Sequence, residues 1–186
     1  LGQNTTASNN TAVGYQAAYS GVDVEGVTAV GYRAGYSINS NAASYLTAFG
    51  IEAAYSTTSG ASITAVGRRA LYSNTTGGDN TAVGINALYY TTTGSYNVAM
   101  GSAAFQSNTT ASFNTAVGYQ AGFSNQTGYY QTFVGYQAGY LSTSSATDAF
   151  GYRALSANTS GGPNAAFGTN SQLSNTTGSN NTGFGA

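Results

Sequence analysis

Apolar and polar positions alternate along residues 13–20: Val13, Tyr15, Ala17 and Tyr19 share one parity, and Gly14, Gln16 and Ser20 take the other. A period of two predicts a β-strand, and no i, i+3, i+4 stripe competes with it. A helix is further disfavoured by the glycine inside the phrase and by its β-branched and aromatic residues. The phrase also recurs. Residues 10–20 read NTAVGYQAAYS and residues 114–124 read NTAVGYQAGFS, so the chain is a repeat array.

The glycine after an apolar residue serves as a ruler: Gly14, Gly31, Gly50, Gly67, Gly84, Gly101, Gly118, Gly135, Gly151, Gly168 and Gly185, at intervals of 17, 19, 17, 17, 17, 17, 17, 16, 17 and 17. These are the expected turn glycines. Each column of the ruler has its own chemistry. Immediately before the glycine stand Val13, Val30, Phe49, Val66, Val83, Met100, Val117, Val134, Phe150, Phe167 and Phe184, apolar in every copy and expected to form the structural core column. One place earlier comes alanine in nine copies; Ala12, Ala29, Ala48, Ala65, Ala82, Ala99 and Ala116 lead that column. Five places after the glycine stand Tyr19, Tyr36, Tyr55, Tyr72, Tyr89, Phe123 and Tyr140, which the same parity turns inward. Between copies run SNTTGGDN, SNTTASFN and SNTTGSNN, whose residues favour turns.

Seventeen residues at about 3.3 Å each give a contour near ~56 Å, enough for two short strands and two turns. One such copy cannot bury its own apolar face, whereas stacked copies join theirs into a continuous core. The expected fold is therefore all-β: a parallel β-solenoid, or β-roll, of about eleven coils spaced ~4.8 Å apart. Residues 1–186 read as a single array without an internal domain boundary, and as a fragment of a longer chain.

In-register stacking has a charge signature. Two places after the glycine stand Gln16, Arg33, Glu52, Arg69, Asn86, Ala103, Gln120, Gln137, Arg153 and Asn170, so the Arg33, Glu52, Arg69 ladder alternates in sign along neighbouring coils. Arg68 disturbs the parity scheme, because it stands in the column where Tyr15, Tyr32 and Ile51 are expected to face inward. The alanine column, the glycines, Ala18, Gly35 and Gly139 make a smooth strip on the opposite parity. That strip is either a flat face left to solvent or a seam against another chain. A chain with few charges is prone to associate, which makes the alanine column a candidate subunit seam.

Composition narrows the functions. Charged residues are 5% of the chain, with four arginines against five acids and a net charge of −1, which removes the electrostatic basis for nucleic-acid or anionic-membrane binding. No apolar run approaches the roughly 20 residues of a spanning helix, and no signal peptide is visible. Histidine, lysine and cysteine are absent, so the usual bases, activated nucleophiles and thiolate metal ligands are missing. No enzyme, cofactor or metal is expected. Asp23 and Glu25 are the nearest thing to a carboxylate pair or calcium site, and read best as solvated linker charges. Asn4, Asn9, Asn74, Asn108, Asn125, Asn158, Asn175 and Asn180 begin Asn-X-Ser/Thr triplets, read as turn formers or as glycosylation acceptors.

The phrase NTAVGYQA, with its small-residue columns and polar linkers, resembles the head repeats of YadA-type trimeric autotransporter adhesins, and similar repeats occur in bacteriophage tail fibres. The resemblance runs from about Asn10 to Ala186. It implies a left-handed parallel β-roll, three chains around one axis and adhesion to host or matrix surfaces. It also implies a core role for the Val13 column and a subunit contact near the Ala12 column. Thr11, Thr28, Thr47, Thr64, Thr81, Thr115 and Thr132 stand where the family carries valine. The expectation is a structural and adhesive fibre segment, extracellular, on a cell surface or on a virion. Its partners would be copies of itself, as a trimer or filament, and a host surface, matrix or glycan receptor. A phage tail-fibre shaft, a functional amyloid and an ice-binding solenoid are the alternatives; the last needs two outward threonine columns.

Overall fold

The computed structural model describes residues 1–4, 8–39 and 45–185. Each copy contributes one short strand just before its ruler glycine. These are β1 (Thr11–Val13), β2 (Thr28–Val30), β3 (Leu46–Phe49), β4 (Ile63–Val66), β5 (Thr81–Val83), β6 (Val98–Met100), β7 (Thr115–Val117), β8 (Thr132–Val134), β9 (Thr147–Phe150), β10 (Asn164–Phe167) and β11 (Asn181–Phe184). They form one parallel sheet in sequence order. Like residues pair across it, Thr11 with Thr28, Ala12 with Ala29 and Val13 with Val30, and so on along the stack. The chain is a parallel β-solenoid of about eleven turns with the period of the glycine ruler.

Among the described residues the rest of each coil holds turns and no second strand, which corrects the expectation of two strands per copy. Ala17 N–H donates to Gly14 C=O at 3.3 Å, closing a turn in which Gln16 takes φ 54°, as the third residue of a type II turn does. Ala18 follows at φ 45°. The pair recurs as Arg69 and Leu71, at φ 57° and 51°, and as Arg153 and Leu155, at 54° and 51°. A left-handed non-glycine residue costs about 1–2 kcal/mol. Hydrogen bonds between coils offset it: Ala18 N–H donates to Ala34 C=O at 2.9 Å, and Arg33 N–H to Tyr15 C=O at 2.9 Å. Turns as well as strands are thus laddered from coil to coil.

The ruler glycine has a specific reason. Gly31 takes φ 135°, and a Cβ built on it would lie 2.5 Å from the Gly50 carbonyl oxygen of the next coil. Only a residue without a side chain turns the chain there and lets the next backbone sit at coil spacing.

Facing is the reverse of the sequence expectation. Ala29, Ala48, Ala65, Ala82, Ala99 and Ala116 are completely buried within one chain, and Ala12 is half-buried on the first coil, so the alanine column is core and not a subunit seam. The expected core column lies outside. Val13 is 57% exposed and Phe184 79%, Phe49 and Met100 are exposed, and Val30, Val66, Val83, Val117, Val134, Phe150 and Phe167 are half-buried against one another. The reason is the coil's narrow bore: the inward space behind the strand is shared with the residue six places on, leaving room for alanine in the strand where a leucine or phenylalanine stands there. Phe133 stands in the alanine column, and the residue six places on is Gly139; a Cβ there would lie 2.5 Å from the Phe133 ring. In other coils, where the column holds Ala82 or Ala65, Leu88 or Leu71 fills that space.

Candidate functional site

The outward faces of the coils and the polar columns inside them are where the remaining chemistry lies. On the sheet, the strand alternation sends Thr11, Thr28 and Thr47 outward together with Val13 and Phe49, while Ala29 and Ala48 point in. Tyr15, Tyr32, Ile51, Ile85, Tyr119, Tyr136 and Tyr152, one place after the glycine, are exposed as well. Arg68 is therefore no anomaly: its column faces solvent.

Aromatic residues stack in rows along these columns. Tyr19, Tyr36, Tyr55, Tyr72 and Tyr89 form an unbroken row with ring centroids 5.5, 5.1, 5.1 and 5.1 Å apart and planes within 8° of parallel. They are half-buried, by one another and by the turns, and do not enter the core. Tyr119, Tyr136 and Tyr152 form a second row, and Tyr96, Phe113 and Tyr130 a third, at a left-handed corner before the strand. Phe150, Phe167 and Phe184 stack at 5.1 Å on the sheet face. Each ring face within a row is covered by the ring of the next coil. The faces stacked within a row offer no platform for a sugar ring.

The charge ladder is half realised. Arg69 Nε donates to Glu52 Oε2 at 2.8 Å, forming an ion pair with Arg69 37% exposed. Arg33 Nε instead donates to Gln16 Oε1 at 2.8 Å. Gln137 likewise donates back to Gln120 at 2.8 Å, so these three donors of the column each reach to the preceding coil. Register is confirmed, whereas the expected sharing of Glu52 between two arginines is replaced by one ion pair and one neutral bond. The Arg69 guanidinium is held above its ordinary value, first by its hydrogen bond to Glu52. Partial burial pushes the Tyr72 phenol up, and the Glu52 carboxylate adds to it. Arg33 also lies 5.1 Å from the Tyr32 ring and 5.5 Å from the Tyr36 ring, bridging two tyrosine columns.

Inside the solenoid run two asparagine columns that turn composition conceals. Four places before the glycine, Asn80, Asn97, Asn114 and Gln131 point inward. Asn97 N–H donates to Asn80 Oδ1 at 2.9 Å, Asn114 N–H to Asn97 Oδ1 at 3.1 Å and Gln131 N–H to Asn114 Oδ1 at 2.9 Å, so each side chain caps the backbone of the next coil. Seven places after the glycine, Asn108, Asn125 and Asn158 close local turns. Their Oδ1 atoms accept from Ala111, Gly128 and Gly161 N–H at 3.1, 2.8 and 3.1 Å, and their Nδ2 atoms donate to the same residues' carbonyls. The available signal was a column in which asparagine interchanges with apolar residues: Val27, Leu46 and Ile63 occupy the first, Ile38 the second.

This placement also sorts the Asn-X-Ser/Thr triplets. Asn74, Asn108, Asn125 and Asn158 have no exposed surface, and each donates its amide nitrogen to a backbone carbonyl. Asn175 makes the same turn half-buried, and Asn9 and Asn180 are exposed. The Asn4 triplet runs into Thr5 and Thr6, outside the described residues. In the folded chain the interior acceptors are closed to glycosylation. Of the carboxylates, Asp23 and Glu25 are exposed; Glu25 Oε1 accepts from Asn9 Nδ2 at 3.3 Å in the adjacent coil. Among the described residues no three His, Cys, Asp or Glu side chains group as a metal site would require. Comparison with protein-family models, with curated proteins and with solved structures gives no match, so what this β-solenoid repeat protein does has to be argued from its own surface.

Proposed function

We propose that this solenoid is a non-enzymatic structural and adhesive segment of an extracellular or virion fibre. Copies associate side by side, through the outward sheet face and not through the alanine column. One observation carries the reading: the columns headed by Val13 and Tyr15 leave Val13, Phe49, Ile51, Ile85, Met100 and Tyr119 exposed along one continuous stack. Eleven coils at ~4.8 Å make a face about 50 Å long, and three outward columns make it about 15 Å wide. The resulting ~750 Å², two of its columns largely apolar and the Thr11 column polar, comes close to one side of a standard stable interface. A charge content of 5% adds little repulsion between copies. The resemblance to YadA-type heads and phage fibres supports a trimer, and the turns would then face a receptor with Thr76, Thr93, Thr110 and Thr127, exposed in successive coils.

Ile85→Arg tests it, because Arg68 already occupies the same column one coil earlier and the fold accepts it. Sedimentation velocity is expected to show a discrete oligomer for the native chain and a monomer, with unchanged far-ultraviolet circular dichroism, for the variant. A native monomer at every concentration refutes the fibre reading, and indefinite filaments replace it with functional amyloid.

A second reading has one observation in its favour. Thr11, Thr28 and Thr47 stand exposed in a row at coil spacing, as an ice-binding face requires of one of its two columns; the other outward column here is Val, Phe or Met. Thermal hysteresis that disappears in Thr47→Lys would promote this reading, and its absence retires it.

A further inference from the structure

The row Tyr19, Tyr36, Tyr55, Tyr72, Tyr89 is more regular than a covering for the turns demands. Five phenols stand one above another in consecutive coils, 5.1 to 5.5 Å apart and within 8° of parallel. In-register stacking puts the ring carbons ortho to each hydroxyl beside their counterparts in the next coil. The rings are partly exposed, so an oxidant reaches them. The row stops where Gln106 takes the position after Tyr89 and restarts as Phe123 over Tyr140, 5.2 Å apart.

We propose that this row is an oxidative cross-linking site, at which successive coils become joined by dityrosine bonds. The co-reactant is a peroxide-driven one-electron oxidant. It removes one electron and the phenolic proton from each of two neighbouring tyrosines. The two phenoxyl radicals couple through their ortho carbons, forming one carbon–carbon bond. Each ring then shifts its ortho hydrogen to oxygen and regains its phenol. Two electrons and two protons have left the pair, and together they reduce one hydrogen peroxide to two waters. A bond of this kind ties adjacent coils covalently along the long axis, where hydrogen bonds and stacking alone hold them otherwise.

The geometry names the products. Coupling is expected between Tyr19 and Tyr36, Tyr36 and Tyr55, Tyr55 and Tyr72, and Tyr72 and Tyr89, and by the same stacking between Tyr119 and Tyr136 and between Tyr136 and Tyr152. The steps from Phe123 to Tyr140 and from Phe113 to Tyr96 and Tyr130 are stacked at similar distances, but a phenyl ring has no phenolic proton to lose, so they serve as internal controls. The stack supplies neighbouring phenols at high effective concentration.

The test treats an equimolar mixture of isotopically light and heavy chains, at dilute concentration, with a haem peroxidase and hydrogen peroxide. Dityrosine fluorescence and mass mapping of the proteolytic peptides are then read. The folded chain is expected to yield at least about tenfold more dityrosine than the same chain in denaturant, because the stack holds neighbouring phenols side by side whereas the denatured chain offers only the millimolar-scale effective concentration of flexibly linked groups. Cross-linked peptides from the row should be light–light or heavy–heavy. Tyr55→Phe, which keeps the ring and its stacking, should delete the two products that contain Tyr55 and spare Tyr19–Tyr36 and Tyr72–Tyr89. Mixed light–heavy products from the row, coupling between non-adjacent tyrosines, or a folded yield no greater than the denatured one overturns the proposal. These readouts do not depend on whether the sheet face associates.

Discussion

Phe133 and Gly139 offer a direct test of the narrow bore. Phe133 is completely buried in a column that elsewhere holds alanine, and a Cβ at Gly139 would meet three of its ring carbons at 2.5 to 2.6 Å. Phe133→Ala opens a cavity and should cost about 3–5 kcal/mol, as such truncations do in rigid cores. Gly139→Leu drives the new side chain into the ring and should cost about 3 kcal/mol from overpacking. Backbone conformation is not the obstacle to it, because Leu71, Leu88 and Leu155 stand in the same column at φ 51° and Gly139 itself is at 59°. The double variant rebuilds the arrangement around Ala82 and Leu88, both buried. It loses only a few methylene equivalents, and should cost about 1–3 kcal/mol. The two substitutions should therefore couple favourably by about 3 kcal/mol or more, at the upper end of what contacting pairs show. Equilibrium urea unfolding of the native chain, both singles and the double, followed by far-ultraviolet circular dichroism, measures the cycle. Costs that add within about 0.5 kcal/mol would refute the claim that the two positions share one volume.

Gly84→Ala should cost about 3 kcal/mol or more, since φ 138° is unfavourable for alanine and the Cβ would lie 2.5 Å from the Gly101 carbonyl oxygen; a split unfolding transition would report the broken contact between coils. Asn97→Ala removes the acceptor of the Asn114 N–H and a donor to the Ala111 carbonyl. It should cost about 2–4 kcal/mol, and hydrogen exchange should quicken at the Asn114 amide. Tyr72 tests the pH dependence. Its phenol is raised above 10.0, chiefly by burial, so the stability it contributes is complete below pH 10 and is lost as pH rises through the higher folded value. Phenolate absorbance during an alkaline titration should show Tyr72→Phe removing a phenol that titrates above its ordinary value.

The period, the parallel pairing and the register were legible from residues alone. Side chains recurring every seventeen residues can form uniform rows only if copies stack directly over one another, and the Glu52 and Arg69 pair follows from that. Facing was not legible. Alternation specifies two faces and leaves open which one is inside, and the usual guide, that bulky residues go in and small ones out, fails where the space behind the strand is wide enough only for alanine because Leu71 or Leu88 fills the rest. The closure that narrows it is made by left-handed residues such as Gln16, Ala18, Arg69 and Leu71, which do not announce that conformation as glycine would. Tertiary structure alone therefore decided that Ala65 is core and that Val13 is surface. It likewise turned Asn97 and Asn108 from apparent loop residues into buried caps, because stacked turns bring amides of neighbouring coils within reach of backbone groups that water cannot satisfy.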